Sequence, residues 1–233
     1  MYALQGEKLT RRYGGFTALR NVDIAIPVGE IRGLIGPNGA GKSTLIDVLS
    51  GRATKAQGKV MLEGHDISAM TVQQRRHAGM ARSFQRTSIF PELTVQGQLE
   101  VAAMKAEAPN VEEVMRELSL THLAHQRSAY IAYGDRRRLD LALALIGRPK
   151  ILLLDEPGAG LSMSESMALA EHLKDLVARW GVTVLLVEHD MDVVFSICHR
   201  ITVLHLGEVL AEGTPDEIRG VPEVVTAYLG SAA

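Results

Sequence analysis

The chain has 233 residues, of which 46% are hydrophobic and 22% charged, and its formal net charge is −2. This length and composition predict one globular domain over residues 1–233 and exclude a disordered chain. The near-neutral charge argues against non-specific binding to nucleic acid, which needs a basic excess. The chain has no signal-peptide pattern and no apolar run near the ~18 residues that cross a bilayer, so we expect a soluble chain. Its one cysteine, Cys198, lies in an apolar stretch and is expected to be buried rather than reactive.

In the first third of the chain, two strand patterns lead into a glycine-rich loop. Residues 22–26 alternate between apolar and polar side chains, and residues 31–35 form an apolar run that enters the loop. A helical pattern follows at 43–50, and Gly51 marks its C-terminal end. The pattern then predicts three short elements: a strand at 58–63, a helix at 71–78 and a strand at 80–85.

The rest of the chain alternates between helices and apolar strands. The strand-poor segment at about 90–145 is predicted to be a helical subdomain. The all-apolar runs 151–154 and 183–187 indicate parallel strands that are buried on both faces. Helices are predicted at 164–180 and 191–198, and a terminal hairpin at 201–211. This alternation indicates an α/β fold with a parallel core.

A glycine-rich run contains the phosphate-binding pattern G-x-x-x-x-G-K-[ST]: Gly36, Pro37, Asn38, Gly39, Ala40, Gly41, Lys42, Ser43 and Thr44. Glycines let backbone N–H groups surround phosphate oxygens, and the following helix adds the positive end of its dipole. Lys42 is predicted to reach the β- and γ-phosphates, and Ser43 to offer its hydroxyl to Mg²⁺. The loop therefore predicts a nucleotide site; the alternative is a glycine turn with a structural role only.

Two adjacent carboxylates, Asp155 and Glu156, end the apolar run 152–154. Ligands of parallel sheets bind at the carboxyl ends of the strands. Asp155 is predicted to hold Mg²⁺ directly or through water, and Glu156 to accept a proton from the attacking water. A solvated turn at the end of the strand is the alternative interpretation.

Over nearly the whole chain, these ordered motifs resemble those of the ATP-binding subunits of ABC transporters. The resemblance implies a P-loop NTPase fold with a RecA-like parallel-sheet core, an antiparallel β subdomain and a helical subdomain, and it implies ATP and Mg²⁺ as cofactors. It implies that Tyr13 stacks on the adenine. The alternative interpretation is a tyrosine that is buried within a strand. The resemblance also implies that Gln85 contacts Mg²⁺ or the attacking water, and that His189 contacts the γ-phosphate.

The resemblance also assigns two loops to the contact between two such subunits. Gly160, Leu161 and Ser162 resemble the D-loop, which crosses the dimer interface, and Ser162 stands where many members have Asp. The signature loop, usually Leu-Ser-Gly-Gly-Gln, caps the γ-phosphate held by the partner; here it reads Ile131, Ala132, Tyr133, Gly134 and Asp135. Ala132 lacks the serine hydroxyl. Asp135 either faces the phosphate, which it would repel, or only favours its own helix.

Four segments resemble those of the branched-chain amino acid uptake subgroup: the Ala-Tyr-Gly core, the arginines that follow it, the stretch 82–85 and the end of the chain. This implies an importer ATPase that lies peripherally on the cytoplasmic face of the inner membrane. Its implied partners are an identical or paralogous ATPase subunit, integral membrane permease subunits and, indirectly, a solute-binding protein, without nucleic acid. Three alternatives stay open: a lipid or polysaccharide exporter ATPase, a soluble ABC-type ATPase, and a regulatory cassette that does not hydrolyse ATP.

Overall fold

Two β-sheets and the helices around them form the computed structural model, which describes residues 1–83, 89–106, 109–224 and 226. The strands are β1 (Tyr2–Tyr13), β2 (Phe16–Pro27), β3 (Ile31–Ile35), β4 (Gln57–Leu62), β5 (His65–Asp66), β6 (Met80–Arg82), β7 (Ile151–Asp155), β8 (Thr183–Val187), β9 (Arg200–His205) and β10 (Glu208–Gly213). The helices are α1 (Lys42–Leu49), α2 (Val72–His77), α3 (Val95–Ala103), α4 (Val111–Glu117), α5 (Tyr133–Leu145), α6 (Met163–Trp180), α7 (Met191–Ile197), α8 (Pro215–Arg219) and α9 (Pro222–Val224).

The larger sheet has the strand order β10-β9-β3-β8-β7-β6, and all its pairs are parallel except β10 with β9. Every residue of β3, β7 and β8 is buried, because apolar side chains cover both faces of the sheet. Alternate residues of β7 point to different cores: Leu152 and Leu154 pack with α6 and the helical segment, whereas Ile151 and Leu153 pack with α1. The carboxyl ends of β3, β7 and β8 therefore lie along one edge of the sheet.

The smaller sheet is antiparallel, with the order β2-β1-β4-β5. Its strand β1 was not predicted, because the alternation of buried residues shifts by one position within the strand. Leu4 and Gly6 are inward-facing, but the next buried residue is Leu9. A register shift separates Gly6 from Leu9, and Lys8 between them has φ 49°. Such a bulge moves the apolar side chains from even to odd positions and hides the strand period.

Among its described residues, the segment predicted to be a helical subdomain contains the α-helices α3, α4 and α5. The buried Asn110 amide joins two of them, since its Nδ2 donates to Leu145 O over 3.3 Å and its Oδ1 accepts from Gly147 N over 2.9 Å. The predicted strand at 80–85 is observed as β6 up to Arg82; its last two positions lie outside the described residues. None of the helices in the described ranges is long and apolar enough to cross a membrane.

Cys198 is buried, as its apolar neighbours predict. Burial raises the pKa of its thiol to about 12. The side chain therefore stays protonated at neutral pH and packs as a small apolar group.

Candidate active site

The glycine-rich loop connects the end of β3 to the start of α1, as the motif predicts. Two of its glycines are required by the surrounding backbone. Gly36 has φ 151°, and a Cβ there would lie 2.2 Å from Leu204 O. Gly41 has φ 108°, and a Cβ there would lie 2.8 Å from Ala18 O. Any side chain at either position would displace the neighbouring main chain, so the shape of the loop depends on these glycines.

Lys42 is folded back across the loop. Its Nζ donates to Gly36 O over 2.5 Å and to Pro37 O over 3.2 Å. Burial lowers the pKa of this ammonium, while the nearby carboxylates of Glu156 and Asp155 oppose the shift. The positive charge is thus held against the carbonyl oxygens of the loop, beside the N-terminus of α1, where an anion would bind.

A cleft of about 290 Å³ opens above this loop. It brings together predicted residues from four parts of the chain, and its lining is Tyr13, Phe16, Ala18, Asn38, Gly39, Ala40, Gly41, Lys42, Ser43, Thr44, Glu156 and His189. Phe16 and Ala18 belong to this lining, although no sequence motif predicted a role for them. Gln85 lies outside the described residues.

Tyr13 and Phe16 form one wall of the cleft. They are cross-strand partners at the tip of the β1–β2 hairpin, and 47% of Tyr13 is exposed. This exposure contradicts the alternative of a buried strand tyrosine. The Arg11 guanidinium lies 4.4 Å from the centroid of the Tyr13 ring and restrains it. Both aromatic side chains are positioned for contact with a planar ligand.

Asp155 lies at the carboxyl end of β7 and is almost fully buried. Its Oδ2 accepts a hydrogen bond from Arg82 over 3.3 Å, and Arg82 also donates to Asp47 on α1 over 2.5 Å. Its Oδ1 is buried and accepts no hydrogen bond from the part of the chain that the structure describes. Burial raises the pKa of this carboxyl, and the charge of Arg82 partly offsets the effect. A buried carboxylate oxygen without a donor matches the ligand chemistry of Mg²⁺.

Glu156 follows in an unusual backbone conformation, with φ 53°. Its N–H donates to Val187 O over 2.9 Å, which ties it to the end of β8. Its Oε1 lies 2.7 Å from His189 Nε2, so two of the predicted catalytic side chains are in contact. A non-glycine residue in the left-handed region costs about 1–2 kcal/mol, and such strain is concentrated at functional sites.

Glu188 is a buried residue of the site, and no sequence motif predicted a role for it. One carboxylate oxygen accepts from Gly158 N over 2.7 Å, and the other accepts from His189 N over 3.2 Å. A Cβ at Gly158 would lie 2.9 Å from this carboxylate. Burial raises the pKa of Glu188, and the two N–H donors oppose this shift. The side chain joins the turn after β7 to the end of β8.

The predicted signature loop does not line this cleft. Most of it, together with Leu161 of the predicted D-loop, borders a second cavity of about 320 Å³, lined by Ala132, Gly134, Asp135, Arg137, Arg138, Leu161, Glu165, Ala168, Leu169 and His172. Ala132 is the N-cap of α5 but gives it no side-chain hydrogen bond. Asp135, in the first turn, forms a close ion pair with Arg138. Ser162 caps α6 in a capping box with Glu165.

Comparison with known proteins agrees with this geometry. The family model described as ABC transporter matches residues 19–159. The chain belongs to the ATP-binding proteins of ABC transporters. A second family model, described as branched-chain amino acid ATP-binding cassette transporter, matches residues 208–233.

Two curated relatives cover almost the whole ATPase. BraF of Pseudomonas aeruginosa, a high-affinity branched-chain amino acid transport ATP-binding protein, is 36% identical over 98% of each chain. LptB of Haemophilus influenzae, the ATP-binding protein of a lipopolysaccharide export system, is 31% identical over 99% of this chain and 98% of its own.

Two solved structures share the fold of the ATPase. The ADP conformation of MJ1267, an ATP-binding cassette of an ABC transporter, has a TM-score of 0.89 at 30% identity and covers 99% of this chain and 100% of its own. The dimeric post-hydrolysis state of the cassette MJ0796, bound to ADP and Pi, has a TM-score of 0.80 at 25% identity and covers 91% of this chain and 98% of its own. The predicted family, fold class and ATPase activity are thereby confirmed.

Proposed function

We propose that this ATPase powers the import of branched-chain amino acids. The observation that carries the substrate class is the match of its C-terminal residues 208–233 to the branched-chain amino acid transporter family. The whole-length similarity to BraF supports the same assignment. The chain contributes the hydrolysis of ATP, and we assign the recognition of the solute to other subunits.

ATP binds in the cleft above the glycine-rich loop. The backbone N–H groups and Lys42 hold the phosphates, and Tyr13 packs against the adenine ring, with Phe16 beside it. Ser43 and Asp155 hold Mg²⁺, for which the buried, donor-free Oδ1 of Asp155 is a suitable ligand or water acceptor. The ion offsets the negative charge of the phosphate oxygens. Gln85 is the further ligand that the sequence predicts.

Glu156 acts as the base of hydrolysis. It accepts a proton from the water that attacks the γ-phosphorus, while the bond from that phosphorus to the bridging oxygen of ADP breaks. His189, 2.7 Å from the carboxylate, orients it and donates to the γ-phosphate. Glu188 holds the main chain of His189 against the turn that follows Glu156. Catalysis thus consists of positioning and of stabilising charge.

Two ATPase chains, identical or paralogous, work as a head-to-tail dimer on the cytoplasmic face of the inner membrane. The loop of Ala132, Tyr133, Gly134 and Asp135 completes the site of the partner, and Gly160, Leu161 and Ser162 cross the interface. Such reciprocal contacts follow from two-fold symmetry. The dimeric arrangement of MJ0796 supports this proposal. Permease subunits span the membrane, and a solute-binding protein delivers the amino acid to them.

Uptake by cells tests the substrate class. A strain without this ATPase should lose uptake of labelled leucine, isoleucine and valine; the unaltered chain should restore it, and Glu156→Gln should not. Normal leucine uptake by the deletion strain, in the absence of a paralogue, would contradict the proposal. Purification of the tagged chain from gently solubilised membranes should yield permease subunits and a binding protein.

Export of a lipid or polysaccharide is the second candidate, favoured by the similarity to LptB. The same purification distinguishes it, because an export system would bring permease subunits without a solute-binding protein. The deletion strain would then keep its amino acid uptake and lose a surface lipid or polysaccharide. Ribosomal or DNA-associated partners would instead support a soluble ATPase.

A further inference from the structure

Tyr133 occupies the first turn of α5, within the signature loop, yet its side chain is directed to another loop of the same chain. Its hydroxyl donates to the main-chain oxygen of Ala159 over 3.0 Å. Ala159 lies in the turn between the strand that ends at Asp155 and the D-loop. The contact therefore joins, within one chain, the loop that faces the nucleotide of the partner to the turn that follows the base.

A second side chain reinforces this contact. Arg137, one helical turn after Tyr133, donates from Nη2 to the same Ala159 oxygen over 2.9 Å. Its guanidinium carbon lies 5.4 Å from the centroid of the Tyr133 ring. The carbonyl thus accepts from a neutral and a charged donor of the same helix face, and the charged one gives the stronger bond.

The glycine after Ala159 allows the ring to pack closely. Gly160 has φ 81°, and a Cβ there would lie 3.0 Å from the Tyr133 hydroxyl oxygen. Gly134 also lies close to Glu165, since a Cβ on Gly134 would lie 2.9 Å from Glu165 Oε1. Glu165 in turn accepts hydrogen bonds from Ser162, the cap of α6. The N-terminal turn of α5 therefore packs against Gly160 of the D-loop and against Glu165 in the first turn of α6.

The turn that holds Ala159 is connected directly to the base. Ala159 N donates to the main-chain oxygen of Glu156 over 3.1 Å, so the two residues close one turn. Within this turn, Gly158 is fixed to Glu188, whose other oxygen holds the backbone of His189. A shift of α5 that pulls on the Ala159 carbonyl would therefore displace the main chain of Glu156.

We propose that Tyr133 is a positioning residue that couples the two ATP sites of the dimer. When the signature loop closes on the ATP of the partner, α5 moves, and the hydrogen bond from Tyr133 carries that movement to the Ala159 turn and to Glu156. Each site then becomes competent for hydrolysis in response to occupation of the other. This coupling rests on the proposed head-to-tail dimer, but it does not depend on which solute is imported.

The test compares Tyr133→Phe with Tyr130→Phe in the purified transporter complex. Tyr133→Phe keeps the ring on Gly160 and removes only the hydroxyl. Tyr130 lies three residues earlier and is 78% exposed, so its variant is the matched control. Loss of one hydrogen bond of about 1 kcal/mol predicts about a fivefold fall in kcat and a fall of the Hill coefficient for ATP toward 1. The ATP affinity of the isolated full chain should stay as in the control.

Two results would overturn the coupling. Tyr133→Phe with unchanged kcat and Hill coefficient would show that the hydroxyl transmits nothing. A loss of ATP affinity in the isolated Tyr133→Phe chain as large as its loss of kcat would show that Tyr133 merely supports the ATP site of its own chain. Arg137→Gln, which removes the second donor to Ala159, must lower the Hill coefficient in the same direction. Absence of amino acid uptake by the unaltered complex would contradict the proposed substrate but leave this kinetic test in force.

Discussion

The phosphate loop and the signature loop are both N-termini of helices, yet they are held in different ways. The phosphate loop is shaped by its own backbone, with Gly36 and Gly41 fitted against neighbouring main-chain oxygens. The start of α5 is held by side chains, chiefly the bonds from Tyr133 and Arg137 to Ala159. The first arrangement can be recognised in a linear motif, whereas the second exists only once two distant segments are packed together. The loop proposed to bind the ATP of its own chain should therefore tolerate few changes, and the loop proposed to act on the partner should be adjustable.

Glu156→Gln should produce the largest loss. The amide keeps the size of the side chain but cannot accept the proton of the attacking water, so turnover should fall by about 10²–10⁴-fold. ATP binding should persist, because the loop and Lys42 are unchanged. Rates of phosphate release and ATP affinity of the same preparation measure the two effects. Glu171→Gln, an exposed change on α6, is the control, and residual turnover above one tenth would refute the assignment of the base.

Lys42→Ala should reduce binding itself. The ammonium lies inside the loop, and its charged hydrogen bonds to phosphate are worth about 1.5–3 kcal/mol each, which predicts an affinity at least about tenfold weaker. Titration of the isolated chain with a fluorescent ATP analogue measures this loss. Lys174→Ala, on the exposed face of α6, should bind as the unaltered chain does. Equal affinities of the two variants would argue against the phosphate-loop assignment.

The sequence predicted the residues whose role is tied to a local pattern. The glycine loop and the apolar strands before Asp155 and His189 are such patterns, and the structure brings them to one edge of the larger sheet. Glu188 and Phe16 were not predicted as members of the site. Glu188 acts through a contact with Gly158, thirty positions away, and Phe16 becomes part of the wall only because the hairpin pairs it with Tyr13.

Two of the elements that were not predicted, β1 and α8, were missed for different reasons. β1 contains a bulge that shifts its apolar positions, so no single period describes the strand. α8 has only five residues, too few for a helical period, although Thr214 and Glu217 form a capping box at its start. That signal was present in the sequence and would have been sufficient to place the start of the helix.

Glu188→Gln should change the pH dependence of stability. Burial raises the pKa of Glu188 above the 4.5 of an ordinary glutamate, so the folded chain holds this proton more tightly than the unfolded chain does. The ionisation of Glu188 therefore lowers the free energy of unfolding as the pH rises from 4.5 through the folded-state pKa. The free energy of unfolding of Glu188→Gln relative to the unaltered chain should increase over this range.

Urea unfolding at a series of pH values from 4 to 7 measures this difference. Glu171→Gln, the exposed change on α6, again serves as the control. A difference for Glu188→Gln that falls with rising pH would mean that the N–H donors of Gly158 and His189 outweigh the cost of burial.

Asp135→Gln should have the smallest effect and bears directly on the adjustable loop. Because Asp135 is paired with Arg138, its charge is already largely offset where the ATP of the partner would bind. Removing the carboxylate leaves Arg138 unpaired and should tighten ATP-driven pairing by no more than about threefold, the size of a partly exposed ion pair. Sedimentation of the chains in the Glu156→Gln background, with and without ATP, measures the pairing.

Arg138→Gln is the reciprocal change: it leaves the carboxylate without its counterion and should weaken pairing. Tightening above tenfold in Asp135→Gln would show that the carboxylate faces the phosphate directly, and weaker pairing would show that Asp135 serves the dimer by holding the first turn of α5.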